Sequence, residues 1–232
     1  MSGDSIRAWR YLLLAVLTFL LLGADMASVV FAKILDGRSA SDPRLWSTHW
    51  YASVGGFVCS IVIWSLWVSV IVAWSRKRSV LGSLISGQAG SRAFAVLLAG
   101  AVLLGVIGFV EARTSGDRFP SIVGEYQGFV QLYAGHGLVV TVFQYLYYML
   151  ESAMVVALLA LFQRALEKWT HHALVPWGGI ALALSWGAAH LGTHPEGAVV
   201  VMLVALVYGV AFVVAKKSAP AILALVFLGF VL

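Results

Sequence analysis

The sequence predicts an all-α protein, a polytopic transmembrane helical bundle of six to seven spans, and three observations predict it. Apolar residues fill 61% of the 232 positions and charged residues only 11%, with a mean hydropathy of +0.94. A soluble domain of this size does not tolerate such a balance. The apolar residues gather into runs at 11–33, 50–74, 93–112, 137–163, 174–191, 197–215 and 218–232, and a helix needs about 20 of them to cross ~30 Å of hydrocarbon. Lysine and arginine collect at alternate ends of these runs.

Taken in order, run 11–33 follows Arg7 and Arg10 and contains Asp25. It is too long for a secretory signal and lacks a small-residue cleavage site, so it reads as a retained first helix. Residues 34–49, with Gly37, Ser39, Ser41, Asp42 and Pro43, form a loop, and His49 beside Trp50 makes an interfacial pair. Run 50–74 holds Cys59, the single cysteine, so no intrachain disulfide forms. Run 93–112 carries Gly100, Gly105 and Gly108, small residues that let helices approach closely. In 113–136, Phe119, Ile122, Tyr126, Phe129 and Val130 recur at near-helical spacing, which predicts an amphipathic helix over one face of the bundle. Runs 137–163, 174–191 and 197–215 read as full spans. The last run opens at Pro220 and has 15 residues, short enough to need a thinned bilayer or a half-buried pose. No tandem repeat divides the chain, so residues 1–232 form a single membrane domain.

Ten of the fifteen basic residues fall on one side: Arg7, Arg10, Arg76, Lys77, Arg78, Arg92, Arg164, Lys168, Lys216 and Lys217. By the positive-inside rule the N-terminus is expected in the cytoplasm. The formal charge of +5 then belongs to an inner rim facing membrane lipids, the expected partner, rather than nucleic acid.

Ionisable residues inside spans point to function, because hydrocarbon penalises them unless they face a partner or water. Counting in at 1.5 Å per residue, Glu151, His190 and Asp25 all lie about 20–25 Å from the inner boundary. Gln144, Tyr147 and Tyr148 precede Glu151 by seven, four and three residues and share its helix face. Trp186 lies four residues before His190, and His194 follows four after it. A buried carboxylate with a nearby imidazole can activate water; such a pair can equally lock two helices. His190 and His194 have the H-x-x-x-H spacing of zinc sites, but Leu191 stands where a zinc protease needs glutamate. No metal or cofactor is expected.

The helices of 137–232 resemble the CAAX-protease and bacteriocin-processing family of intramembrane glutamic proteases. The resemblance is carried by Glu151, by S-W-G-A-A-H-L at 185–191 in place of F-x-x-x-H, by the 39-residue spacing between Glu151 and His190, and by the glycine-containing and proline-led helices of 206–229. It implies a bacterial plasma-membrane protein in which Glu151 and His190 activate water against a membrane-embedded peptide. The chain departs from the family at Ser152, Val156, Leu225 and Gly229, which replace the second glutamate, the arginine, and the histidine and asparagine that hold the oxyanion. Three expectations follow: a divergent hydrolase with Tyr147, Gln144 or His194 as replacement donors; a pseudoprotease that binds peptides as a scaffold or immunity factor; or a proton-coupled transporter using Asp25, Glu151 and His190.

Overall fold

A computed structural model describes residues 6–23, 25–39, 47–78, 80–86, 90–116, 118–192, 195 and 197–232. Every apolar run becomes helix, and among the described residues there is no strand, only an isolated bridge between Ser86 and Ser218. The elements are α1 (Ala8–Leu22), α2 (Asp25–Leu35), α3 (Trp50–Lys77), α4 (Leu81–Leu84), α5 (Ser91–Ser115), α6 (Ser121–Tyr133), α7 (Gly137–Thr170), α8 (Trp177–Leu182), α9 (Ala198–Val214) and α10 (Ala219–Val231). Four helical stretches are long and apolar enough to cross a membrane: Ala8–Leu35, Trp50–Lys77, Ser91–Thr114 and Ser121–Thr170. The shorter apolar helices α9 and α10, of 17 and 13 residues, pack among them.

The organising element is α7, whose 34 residues extend about 50 Å. It packs against α1, α3, α6, α8 and α10. Met154, Val155, Leu158, Leu159 and Leu161 are buried along it and join the main core. Its C-terminal end is clamped: Gln163 Oε1 accepts the Gly178 N–H at 2.8 Å, and its amide nitrogen donates to the Val175 carbonyl at 2.9 Å. Glu167 on the next turn accepts from Gln163 at 2.9 Å and from Lys217 at 2.8 Å. Together these bonds fix where α8 and α10 start.

Two differences from the sequence reading shape the interior. The first run is not one continuous helix. Gly23 lowers helix propensity, and Asp25 opens α2, where a negative charge suits the helix N-terminus. The break is braced from α3, since Trp64 Nε1 donates to the Leu21 carbonyl at 2.8 Å and Trp67 Nε1 to Thr18 Oγ1 at 3.0 Å. The run 174–191 is also interrupted: α8 widens into a π segment, Ala183–Gly187, and a 3₁₀ turn, His190–Gly192, follows. Such widened turns redirect side chains and free carbonyls from the regular ladder.

The amphipathic segment is helical as its spacing predicts, forming α6. Gly137 lets α6 fold back onto the start of α7, since a Cβ there would stand 2.7 Å from the Val130 backbone. Phe129 and Tyr133 turn inward against Val140, and Tyr133 donates to the Ser47 carbonyl at 2.7 Å.

Candidate functional site

The midpoint of α7 presents a polar face to the bundle interior. Gln144 is 2% and Glu151 9% exposed, with Tyr147 between them buried to the same degree as Glu151. Tyr147 is held by aromatic packing, its ring centroid 4.9 Å from Trp64 and 5.4 Å from Phe57. Its hydroxyl interacts electrostatically with two acids, Asp25 and Glu151. Ser60 Oγ lies 3.4 Å from Asp25 and 2.7 Å from Ser28 Oγ, and its single proton serves one of these acceptors at a time. The helix break thus delivers a carboxylate from α2 to the layer that holds Glu151.

Trp186, carried by the π segment, interacts electrostatically with Glu151. Its backbone carbonyl accepts from His190 Nδ1 at 2.8 Å, and its indole meets the His190 ring edge-on at 5.0 Å. Because a carbonyl can only accept, Nδ1 carries a proton, which turns Nε2 away from this carbonyl. Glu151 and His190 form no direct hydrogen bond or ion pair; Trp186 contacts His190 and interacts electrostatically with Glu151. His194 lies outside the described residues.

Tyr148 points away from Asp25. It donates to Glu125 of α6 at 2.7 Å, accepts from Gln144 Nε2 at 2.8 Å and stacks on Phe230 at 4.7 Å. Tyr145 also donates to Glu125, at 2.8 Å. Gln144 Oε1 is buried with no hydrogen-bond partner. Glu125 lines a polar cavity of about 660 Å³ that runs between α5, α6, α9 and α10 to Gly229.

Tyr208 of α9 completes the layer. It is 2% exposed, its hydroxyl reaches the Val226 carbonyl at only 3.4 Å, and it interacts electrostatically with Glu151. A Cβ built on Gly229 would overlap this hydroxyl, so the phenol occupies the volume that a side chain at 229 would need. Leu225 packs into the notch left by Gly100 on α5.

Of the residues singled out in sequence, Asp25, Tyr147, Glu151 and Trp186 converge. His190 is tethered to them, while Gln144 and Tyr148 form a branch toward Glu125. Sequence reasoning missed Tyr208, Glu125 and Ser60. For Tyr208 a signal existed, because it is the only residue of α9 with a polar side-chain atom. Among the described residues, no group of three or more His, Cys, Asp or Glu side chains gathers as a metal site would require. No protein-family model, curated protein or solved structure matches this chain.

Proposed function

We propose that this chain is a divergent intramembrane peptide hydrolase of the CAAX-protease type, oriented with its N-terminus in the cytoplasm of a bacterial plasma membrane. Glu151 takes a proton from water, and the resulting hydroxide adds to the carbonyl carbon of a membrane-embedded peptide. The proton then passes from Glu151 to the leaving nitrogen as the C–N bond breaks. His190 Nε2 orients the water by accepting its second proton in a hydrogen bond. Asp25, across Tyr147, supplies the second carboxylate that Ser152 has lost. One observation carries this reading: the Tyr208 hydroxyl, which interacts electrostatically with Glu151, fills the space at Gly229, where the family resemblance puts the oxyanion asparagine. It offers a donor for the charge that develops on the carbonyl oxygen.

The test is cleavage of a fluorogenic library of apolar peptides by the protein in nanodiscs. Glu151→Gln is expected to abolish turnover, and Tyr208→Phe to lower kcat by about 10²–10³ with little change in KM. Cleavage that survives Glu151→Gln rules the assignment out.

A second reading is favoured by the Asp25–Tyr147–Glu151 arrangement, in which two acids face one phenol beside a broken helix. Such geometry suits proton transfer coupled to transport. A proton flux into proteoliposomes that Asp25→Asn removes, without any peptide cleavage, would select it.

A further inference from the structure

The cavity beside Glu125 has a chemistry that the carboxylate layer does not use. Its volume of about 660 Å³ falls in the ~300–1,000 Å³ range of pockets that hold small ligands. The lining is amphipathic: α5 and α9 contribute Leu104, Ile107, Val200 and Val204, while α6 contributes Glu125 and Gln127. Gly128 of α6 also lines it, and a Cβ built there would meet no atom within 4 Å, so the space at that position is open.

The two polar side chains of α6 present acceptors. Glu125 Oε2 accepts from Tyr145 at 2.8 Å and Oε1 from Tyr148 at 2.7 Å. Both oxygens are thus acceptors, as in an ionised carboxylate, and each keeps room for a further hydrogen bond. Among the described residues no lysine, arginine or histidine nitrogen pairs with this carboxylate; the hydrogen-bond donors that reach it are phenols. Gln127 Oε1 is buried with no hydrogen-bond partner. A carboxylate in a membrane-length helical stretch is costly without a compensating cation, and an orphaned buried oxygen lacks a donor. An ammonium group meets both needs, with its charge and three N–H donors. Neither of the other charged lining residues enters into this: Glu111 has a partner of its own, and Arg118 is exposed.

We propose that this cavity binds an amphipathic primary amine in its ammonium form, the N–H groups directed at Glu125 and Gln127 Oε1 and the alkyl chain laid along Leu104, Ile107, Val200 and Val204. The site does not depend on the hydrolase reading. Equilibrium dialysis of the full chain in phosphatidylcholine nanodiscs tests it, with radiolabelled n-octylammonium as the probe and empty nanodiscs to subtract partitioning into lipid. The wild type is expected to bind one n-octylammonium saturably. Neutral n-octanol should bind at least about tenfold more weakly for want of the charge, and ethylammonium more than about a hundredfold more weakly for want of the chain. Glu125→Gln should weaken n-octylammonium by about ten- to a hundredfold. Gly128→Leu fills the open space and should abolish binding, whereas Gly135→Leu, equally open but outside the lining, should leave it unchanged. Binding that survives Glu125→Gln or Gly128→Leu intact, or n-octanol held as tightly as the amine, overturns the proposal. So does ethylammonium held as tightly as n-octylammonium, which would make the cavity a site for small cations. Should Glu125→Gln fail to fold, the amine against the alcohol and the two leucine variants decide. A free amine and an ethanolamine lipid carry the same chemistry, and nanodiscs doped with phosphatidylethanolamine separate them: displacement of the probe identifies the lipid as occupant, and undiminished binding identifies the free amine.

Discussion

Tyr208 and Gly229 are coupled because one hydroxyl fills the space of the other residue's missing side chain. Gly229→Ala is therefore expected to destabilise the protein by about 1–3 kcal/mol through overpacking. Adding Tyr208→Phe removes the overlapping oxygen and should recover part of that loss, read as a non-additive cycle in thermal unfolding. Additive losses would mean that the hydroxyl is not where the fold places it. A second residue-scale prediction concerns Asp36, in the loop after α2. Its carboxylate accepts from the Thr48 N–H at 2.7 Å, the Thr48 hydroxyl at 2.9 Å, the His49 N–H at 3.0 Å and His49 Nδ1 at 2.6 Å, and pairs with Arg38 Nε at 2.8 Å. Burial works against its charge, but these donors outweigh it and hold the group well below the usual carboxylate range. A depressed folded value means the stabilisation is complete above the unfolded value of 3.8 and is lost progressively as pH falls below it. Amide protection at Thr48 and His49 should hold from neutrality to about pH 4 and decline below that, whereas Asp36→Asn should weaken it at every pH.

At the scale of elements, the glycines separate close crossings from incidental ones. A Cβ on Gly179 would stand 2.6 Å from the Gly209 Cα and 3.0 Å from the Ala205 carbonyl, so α8 and α9 touch backbone to backbone. At Gly105 on α5 the nearest atom would be 3.9 Å away. Gly179→Ala should lower stability by about 1–3 kcal/mol, and Gly105→Ala should be neutral or raise it by up to ~1 kcal/mol through helix propensity; thermal unfolding in one detergent compares them directly. The sequence shows both as glycines inside apolar runs and cannot rank them, because the ranking depends on which helix lies opposite. The same limit explains how the site was read. Glu151, Asp25 and His190 stood out because hydrocarbon makes polar atoms conspicuous, and a common depth was expected for them from the helix rise alone. Helix rotation and neighbour order carry no local signal. Nothing in the run 11–33 announced that a break at Gly23 would turn Asp25 toward Tyr147, or that Glu125 of the amphipathic helix would face inward to two phenols.

For the whole molecule, the distribution of apolar surface inverts what water would select. On α5, Phe94, Leu98, Val102 and Val106 recur every four residues and are 66%, 58%, 62% and 56% exposed, forming a continuous outward stripe. Water would penalise such a stripe on a monomer, whereas hydrocarbon solvates it at no cost. The polar atoms run the other way, gathered at the centre around Glu151 and at the two ends. An arginine at the middle of a spanning helix costs about 2.5–3.5 kcal/mol on insertion scales, so Leu98→Arg should sharply reduce the fraction of chain that integrates into microsomal membranes. Glu111 lies near the end of the same helix, one turn before Ser115, where a long basic side chain can snorkel to the interface. Glu111→Arg should therefore integrate almost normally. If both variants integrate equally well, α5 does not face lipid and its stripe must be covered by protein.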